Sequence, residues 1–169
     1  MIRLSRSSGF SLVPKTLLVV VPVLAAGLVF AQTQRPRPLS GGGGEPDPVF
    51  QEYRGVQIGW LADDVRKKLG SPADKGDEQD IYVFDEKEMA QIQYDKATKK
   101  VTAISVDFMN GATSVITPQQ VFGADIEAKP DGSKYKLIRY PKVGYWISYN
   151  RTAGDTPMIT VTLQKMPGQ

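Results

Sequence analysis

The first regular pattern of apolar residues in the body of the chain is Leu61, Val65 and Leu69, at four-residue spacing. This spacing places the three side chains along one stripe of a helix, so the sequence predicts a helix over residues 62–69. Acidic residues open this segment and basic residues close it, as the helix dipole favours. Gly70 then stands at the position of a C-terminal cap and marks the end of the helix.

Three segments after the predicted helix alternate between apolar and polar residues, a pattern typical of β-strands. They cover residues 81–84, 89–94 and 101–108, and polar turns separate them. In the second and third segments the alternation is regular, so one face of each strand is expected to be buried and the other to face solvent. The pattern therefore predicts a three-stranded antiparallel meander behind the helix.

The chain after residue 111 shows the same order of signals. Thr117 and Pro118, followed by Gln120, form a capping-box arrangement that predicts the start of a short second helix. Further alternating segments predict three more strands. These strands are predicted over residues 135–140, 143–149 and 158–163.

The two halves of the body also resemble each other. A shift of 55 positions superposes Ile92 on Ile147, together with several other positions expected to face inward, and we interpret this as an internal repeat. The predicted fold class is α+β, with two tandem helix-plus-three-stranded-meander repeats that form an antiparallel sheet and pack their helices on one face. The predicted boundaries are residues 49–112 and 113–169. Two unrelated meanders with ordinary strand alternation are the alternative interpretation.

Four segments carry a family resemblance: Gly59-Trp-Leu-Ala-Asp-Asp-Val65, Leu69-Gly-Ser-Pro72, Tyr82-Val-Phe84 and Lys100-Val-Thr-Ala-Ile104. They resemble the SmpA/OmlA (BamE-like) domain, and the chain is also similar to the beta-lactamase-inhibitor-protein-like (BLIP-like) fold, in which such units occur in tandem. The resemblance implies an outer-membrane-assembly or scaffold role and an aromatic-bearing concave sheet face that grips a partner. The sequence departs from the family at Trp60 and Leu61, where Met and a capping Thr are usual, and it has no cysteine for a lipid anchor.

The N-terminus has the pattern of an export signal. Basic residues precede an apolar run over residues 17–30, and small residues then offer a cleavage position after Ala31. We therefore predict a signal peptide over residues 1–31 and an exported protein, either periplasmic or secreted. An uncleaved anchor is the alternative, and the membrane would then be contacted only through this segment.

A second alternative concerns the same segment. Gly9-Phe10 and the apolar run behind it resemble the start of a type IV prepilin, although Pro14 stands where such sequences have Glu. A pilin-like or pseudopilin component would need a long continuous helix. Residues 32–48 are rich in Pro, Gly and small polar residues instead, and they predict a flexible linker.

The basic character of the chain is concentrated in the predicted signal. The full chain has 21 basic and 18 acidic residues, and residues 1–31 contain three basic residues and no acidic one. The remainder is balanced, so nothing in its composition favours a polyanionic partner. We therefore expect another envelope protein as the partner and no nucleic acid.

The chain has no His and no Cys. This removes the common ligands of zinc, the usual acid-base residue at neutral pH and the thiol nucleophile. Asp74, Asp77, Glu78 and Asp80 are clustered, but their spacing does not match a calcium loop, and a solvated acidic loop is predicted. We expect no catalytic residue, no metal site and no cofactor, and a carboxylate-dependent hydrolase is the remaining enzymatic alternative.

One large aromatic residue, Trp146, is predicted to face away from the core, because its neighbours Tyr145 and Ile147 are expected to point inward. A large aromatic on a face of polar and small residues is typical of a protein-binding hot spot. Burial of Trp146 under a helix or under the N-terminal segment is the alternative. The predicted protein-binding residues are Trp146, Gln91, Gln93, Met89, Thr160 and Thr162.

Together these patterns predict a non-enzymatic protein-interaction module of the cell envelope, with an outer-membrane-assembly-like or scaffold role. A secreted proteinaceous inhibitor of an envelope hydrolase is the alternative function. Such an inhibitor would insert a protruding loop, such as Asp85–Glu88 or Pro141-Lys142, into the cleft of the hydrolase. The pilin-like component is a further alternative.

Overall fold

The computed structural model describes residues 47–168. The predicted signal peptide and all but the last two residues of the predicted linker lie outside this range. Within it, no helix has the length and apolar character that a membrane crossing requires. In chain order the elements are β1 (Glu52–Tyr53), β2 (Val56–Gln57), α1 (Ala62–Leu69), β3 (Asp74–Lys75), β4 (Gln79–Asp85), β5 (Glu88–Tyr94), β6 (Val101–Phe108), α2 (Pro118–Phe122), β7 (Lys134–Tyr140), β8 (Tyr145–Arg151) and β9 (Ile159–Lys165).

Seven of the strands form one antiparallel sheet with the order β3-β4-β5-β6-β9-β8-β7. The last strand in the chain, β9, enters the middle of the sheet, between β6 and β8. Its register on β6 runs from Ala103 opposite Gln164 to Phe108 opposite Ile159. The strands β1 and β2 form a separate two-stranded hairpin.

The predicted fold class is wrong. We expected two tandem helix-plus-three-stranded-meander repeats, and the described residues form a mostly antiparallel structure with 42% strand and 11% helix. The first half carries the hairpin β1–β2 and the strand β3 in addition, and α2 has five residues against eight in α1. The physical reason is that the two halves are built differently. β1, β2 and β3 have no counterparts in the second half, and the seven strands of the large sheet are joined through the pairing of β6 with β9.

Both helices pack on the same face of this sheet. Val65 of α1 belongs to a buried cluster that includes Ile104, and Val121 of α2 belongs to a second cluster that includes Leu163. Ile104 and Leu163 are register partners on neighbouring strands, so both clusters lie on one side. Four half-buried residues contact both clusters and join them: Phe50, Ile58, Ile116 and Ile159.

The predicted bounds of α1 are confirmed, and Gly70 forms its C-terminal cap with a φ of 88°. The predicted apolar stripe is only partly correct. Ala62 and Val65 are buried, whereas Leu61 precedes the helix and remains 46% exposed. Leu61 is instead held to the sheet by its backbone, through an isolated bridge to Lys100.

The predicted capping box of α2 is confirmed. The Thr117 side chain accepts a hydrogen bond from the backbone N–H of Gln120, and the Gln120 side chain accepts one from the backbone N–H of Thr117. All six predicted strands are present; β6 has the predicted bounds and the other five have shifted ends. Val143 was predicted to begin a strand, but it lies in the turn before β8, where Gly144 has a φ of 78°, and it is 45% exposed.

Candidate functional site

The face of the sheet opposite the helices is the candidate site. The helices and the hairpin β1–β2 all contribute buried residues to the clusters on the other side. Side chains alternate along each strand, and the strand register arranges the remaining ones in three rows across six strands. We call this surface the open face; its rows are Val83, Met89, Asp107, Thr160, Asn150 and Tyr135, then Ile81, Gln91, Ser105, Thr162, Ser148 and Leu137, then Gln79, Gln93, Ala103, Gln164, Trp146 and Arg139.

All six residues predicted to bind protein lie on the open face, at register positions that place them on β5, β8 and β9. Two of them are held by polar contacts from β6. The Thr160 hydroxyl donates to Asp107 Oδ1 at 2.6 Å, and the Thr162 hydroxyl lies 3.0 Å from that of Ser105. These contacts between neighbouring strands fix the polar centre of the open face.

Trp146 is half-buried and packs against neither of the two core clusters. Its register partners are Gln164 on β9 and Arg139 on β7, so its neighbours in the sheet are long polar side chains. Within residues 47–168, no helix covers it. The alternative that Trp146 lies under a helix is therefore not seen in this part of the chain.

Apolar side chains stand toward the two lateral edges of the open face. Val83 on β4 and Tyr135 on β7 are each 57% exposed, and Leu137 lies beside Tyr135 on the same strand. The surface between these edges is mostly polar and carries few charges. Asp107 lies on the central strand β6, Arg139 lies on β7, and Asp74 of β3 extends the second row beside Ile81. Such a surface loses little charge hydration when another molecule covers it.

Two carboxylates, those of Asp80 and Glu88, are buried on the core side. Asp80, which was predicted to lie in a solvated acidic loop, is fully buried, and that part of the prediction is wrong. Its carboxylate accepts two hydrogen bonds from Arg66 and one from the Tyr94 hydroxyl at 2.8 Å. Burial, and then the hydrogen bond to Asp80, raise the pKa of Tyr94 above its ordinary value. The position of Asp80, two residues before the buried Tyr82 on one strand, is the signal that was missed.

Glu88 is the second buried carboxylate, at 3% exposure. It accepts hydrogen bonds from the hydroxyls of Tyr53 and Ser114, and from Arg54 Nη2 at 2.8 Å. Burial raises the pKa of Glu88, but the three hydrogen-bond donors and the Arg54 charge outweigh it, and the net pKa lies below the ordinary range. Glu88 thus ties the hairpin β1–β2 and the segment before α2 to the start of β5.

Neither buried carboxylate reaches the open face, and both are occupied by structural partners. Within the described range, no group of three or more acidic side chains is arranged to hold a metal ion. Most polar groups on the open face are amides and hydroxyls, and the charged groups in its three rows are Asp107 and Arg139. These groups recognise other molecules through hydrogen bonds and packing.

The four segments on which the family resemblance was based lie around α1, on β4 and at the start of β6. Residues 59–65 lead into α1, residues 69–72 end it, and residues 100–104 lead into β6. Comparison of the chain with family models, with curated proteins and with solved structures finds no match.

Proposed function

We propose that this protein is a non-enzymatic protein-interaction module of the cell envelope and that it binds its partner through the open face. The observation that carries the proposal is the position of Trp146. It stands between Gln164 and Arg139 on a broad sheet surface, outside both core clusters. Large aromatic residues in such surroundings contribute most of the binding free energy in many protein interfaces.

The composition of the open face favours a folded protein with a mostly uncharged contact surface. Polar groups that are already hydrogen-bonded to each other, such as Thr160 and Asp107, lose little hydration free energy when a partner covers them. The exposed Val83 and Tyr135 at the two edges add apolar area of the kind that marks interaction sites. A partner that spans the width of the sheet would contact both edges and Trp146 at once.

Site-specific photo-crosslinking in the cells that produce the protein tests the proposal. A photoreactive amino acid is placed at Gln91 or Thr162 on the open face, and at Leu61 or Gln119 on the helix side as matched controls. We expect one partner to be crosslinked from the open-face positions only. The partner is then purified and mixed with the full-length protein, so that its affinity is measured directly.

Trp146→Ala is expected to weaken the purified complex by about 2 kcal/mol, which is the usual threshold for a hot spot. Leu61→Ala, a truncation of an exposed side chain on the helix side, is the control and should leave the affinity unchanged. Crosslinks that arise only from Leu61 or Gln119 would show that the partner binds the helix side, and the proposal would be wrong.

A further inference from the structure

A cleft of about 740 Å³ lies at one end of the sheet, and we call it the basic cleft. Three lysines line it, each from a different part of the chain: Lys100 at the turn before β6, Lys142 in the turn between β7 and β8, and Lys165 at the end of β9. Among residues 47–168, Asp95 is the acidic residue of the cleft lining. Within this range, three positive charges therefore face one negative charge.

The charges of the lysines are not neutralised within the described part of the chain. None of the three forms an ion pair there. The Asp95 Oδ1 atom accepts hydrogen bonds from Ala97 N, Thr98 N and the Thr98 hydroxyl within its own turn. These hydrogen bonds, and more weakly the charge of Lys165, keep the pKa of Asp95 below its ordinary value. The cleft thus keeps an excess of positive charge that an anionic group can use.

The basic cleft also has apolar walls. Ile58, Val143 and Met166 line it, and Val143 is 45% exposed. Pockets that mix apolar walls with a few charged groups bind molecules that carry both characters. Lysine ammonium groups are mobile point charges, so they can follow carboxylates spaced along a chain without a fixed planar geometry.

The cleft begins where the open face ends. Trp146 pairs in register with Gln164 at this end of the open face. In the next pair, Lys165 lines the cleft, whereas Tyr145 is buried in the second core cluster, so this pair faces the helix side. Beyond it, Met166 N donates to Gly144 O at 2.8 Å and joins the two segments. A partner that covers the open face and turns round this end of the sheet would reach the cleft.

We propose that the basic cleft binds an acidic, partly apolar polypeptide segment of the partner protein. This inference rests on the proposed function, because it assigns the cleft to the partner that covers the open face. The excess positive charge of the cleft attracts an acidic segment over a long range. This attraction therefore governs the rate at which the partner associates and the dependence of that rate on salt. The open face, which carries few charges, then supplies contacts that depend less on salt.

A short fluorescent peptide of alternating Asp and Leu is the probe, and its binding to the full-length protein is followed by fluorescence anisotropy. The test variant combines Lys100→Gln, Lys142→Gln and Lys165→Gln. We expect it to bind the peptide about tenfold more weakly than the original protein, as the loss of three exposed charge pairs predicts. The matched control removes the same charge elsewhere, with Lys67→Gln, Lys75→Gln and Lys129→Gln, and should bind within about twofold of the original.

Equal losses in the two triple variants would overturn the inference, because they would show general electrostatic attraction without a site. An Asn-Leu peptide that binds as tightly would overturn it as well. Inorganic phosphate and anionic lipid vesicles are added as competitors, each at a concentration of anionic groups equal to that of the peptide carboxylates. Displacement of the peptide by phosphate would assign the cleft to a small anion instead. Displacement by the vesicles would assign it to a membrane surface.

The outcomes also separate this inference from the proposed function. Trp146 is not among the residues that line the cleft, so Trp146→Ala should leave peptide binding unchanged. Peptide binding that depends on the three lysines, combined with capture of the partner that does not depend on Trp146, supports the cleft and refutes the open face. Peptide binding that does not depend on the three lysines, combined with capture of the partner that depends on Trp146, refutes the proposal for the cleft and supports the open face.

Discussion

The Arg66 guanidinium on α1 and the Asp80 carboxylate on β4 form two hydrogen bonds, with Nε 2.9 Å from Oδ2 and Nη2 3.0 Å from Oδ1. Arg66 also donates to the backbone carbonyl of Gly76 at 3.1 Å. Asp80 has no exposed surface, and Arg66 is only partly exposed. The hydrogen bond to Asp80 is the main cause that raises the pKa of Arg66. One ion pair therefore holds the helix, the turn at Gly76 and the sheet together.

Arg66→Met should destabilise the protein by about 3–5 kcal/mol, because it leaves the Asp80 charge buried without its partner. Urea unfolding followed by circular dichroism measures the change. Lys67→Met, which removes the exposed neighbouring charge on the same helix, is the control and should change stability by less than about 0.5 kcal/mol. A loss for Arg66→Met no larger than that of the control would show that the pair does not stabilise the fold.

Glu88 predicts a dependence of stability on acid pH. Its pKa is lowered in the folded protein, so its ionised form stabilises the fold above the ordinary glutamate pKa of about 4.3, and this contribution is lost as the pH falls below that value. Glu88→Gln should cost about 1–3 kcal/mol at neutral pH, because a buried charged acceptor is lost. The difference from the original protein should narrow as the pH falls from about 5 to about 3.

Urea unfolding at a series of pH values measures this difference. Glu86→Gln changes an exposed residue of the adjoining turn and is the matched control. The control should follow the original protein at every pH. A constant difference between Glu88→Gln and the original protein across the acid range would contradict the assigned role of Glu88.

Trp146 and Ile147 are neighbours on β8 that should differ sharply in their contribution to stability. Ile147 is fully buried in the core, and Ile147→Ala should cost about 2–5 kcal/mol. Trp146 packs against neither core cluster, and Trp146→Ala should cost less than about 1 kcal/mol. Thermal unfolding of the two variants measures the loss of stability that each substitution causes. A loss for Trp146→Ala as large as that for Ile147→Ala would place Trp146 in the core and remove it from the proposed binding face.

The capping box of α2 should contribute measurably although the helix is short. Thr117→Ala removes the acceptor for the Gln120 backbone N–H and should cost about 1 kcal/mol. Thr113→Ala, an exposed threonine in the segment before the helix, should cost less than about 0.5 kcal/mol. Urea unfolding compares the two variants. Equal effects would show that solvent replaces the cap.

The helix starts, the helix ends and the strand alternation were predictable from the sequence. The capping box at Thr117 and the stop at Gly70 act over one helical turn, so the residues that cause them are adjacent in the chain. The outward direction of Trp146 follows from the period of two along β8. The repeat inferred from similar strand patterns was wrong, because strand alternation is the same for any half-buried strand and does not specify an architecture.

The remaining features depend on residues that are far apart in the chain, and only the tertiary structure decided them. The pairing of β6 with β9, the contact of Glu88 with Tyr53 and the meeting of three lysines in one cleft each join separate segments. A balanced net charge concealed the basic cleft, since composition counts charges and not their positions. By itself, the sequence determined where the two helices begin and how side chains alternate along the six predicted strands, because those effects are local. Tertiary structure decided which elements meet, because the free energy of pairing and burial arises only once distant segments are in contact.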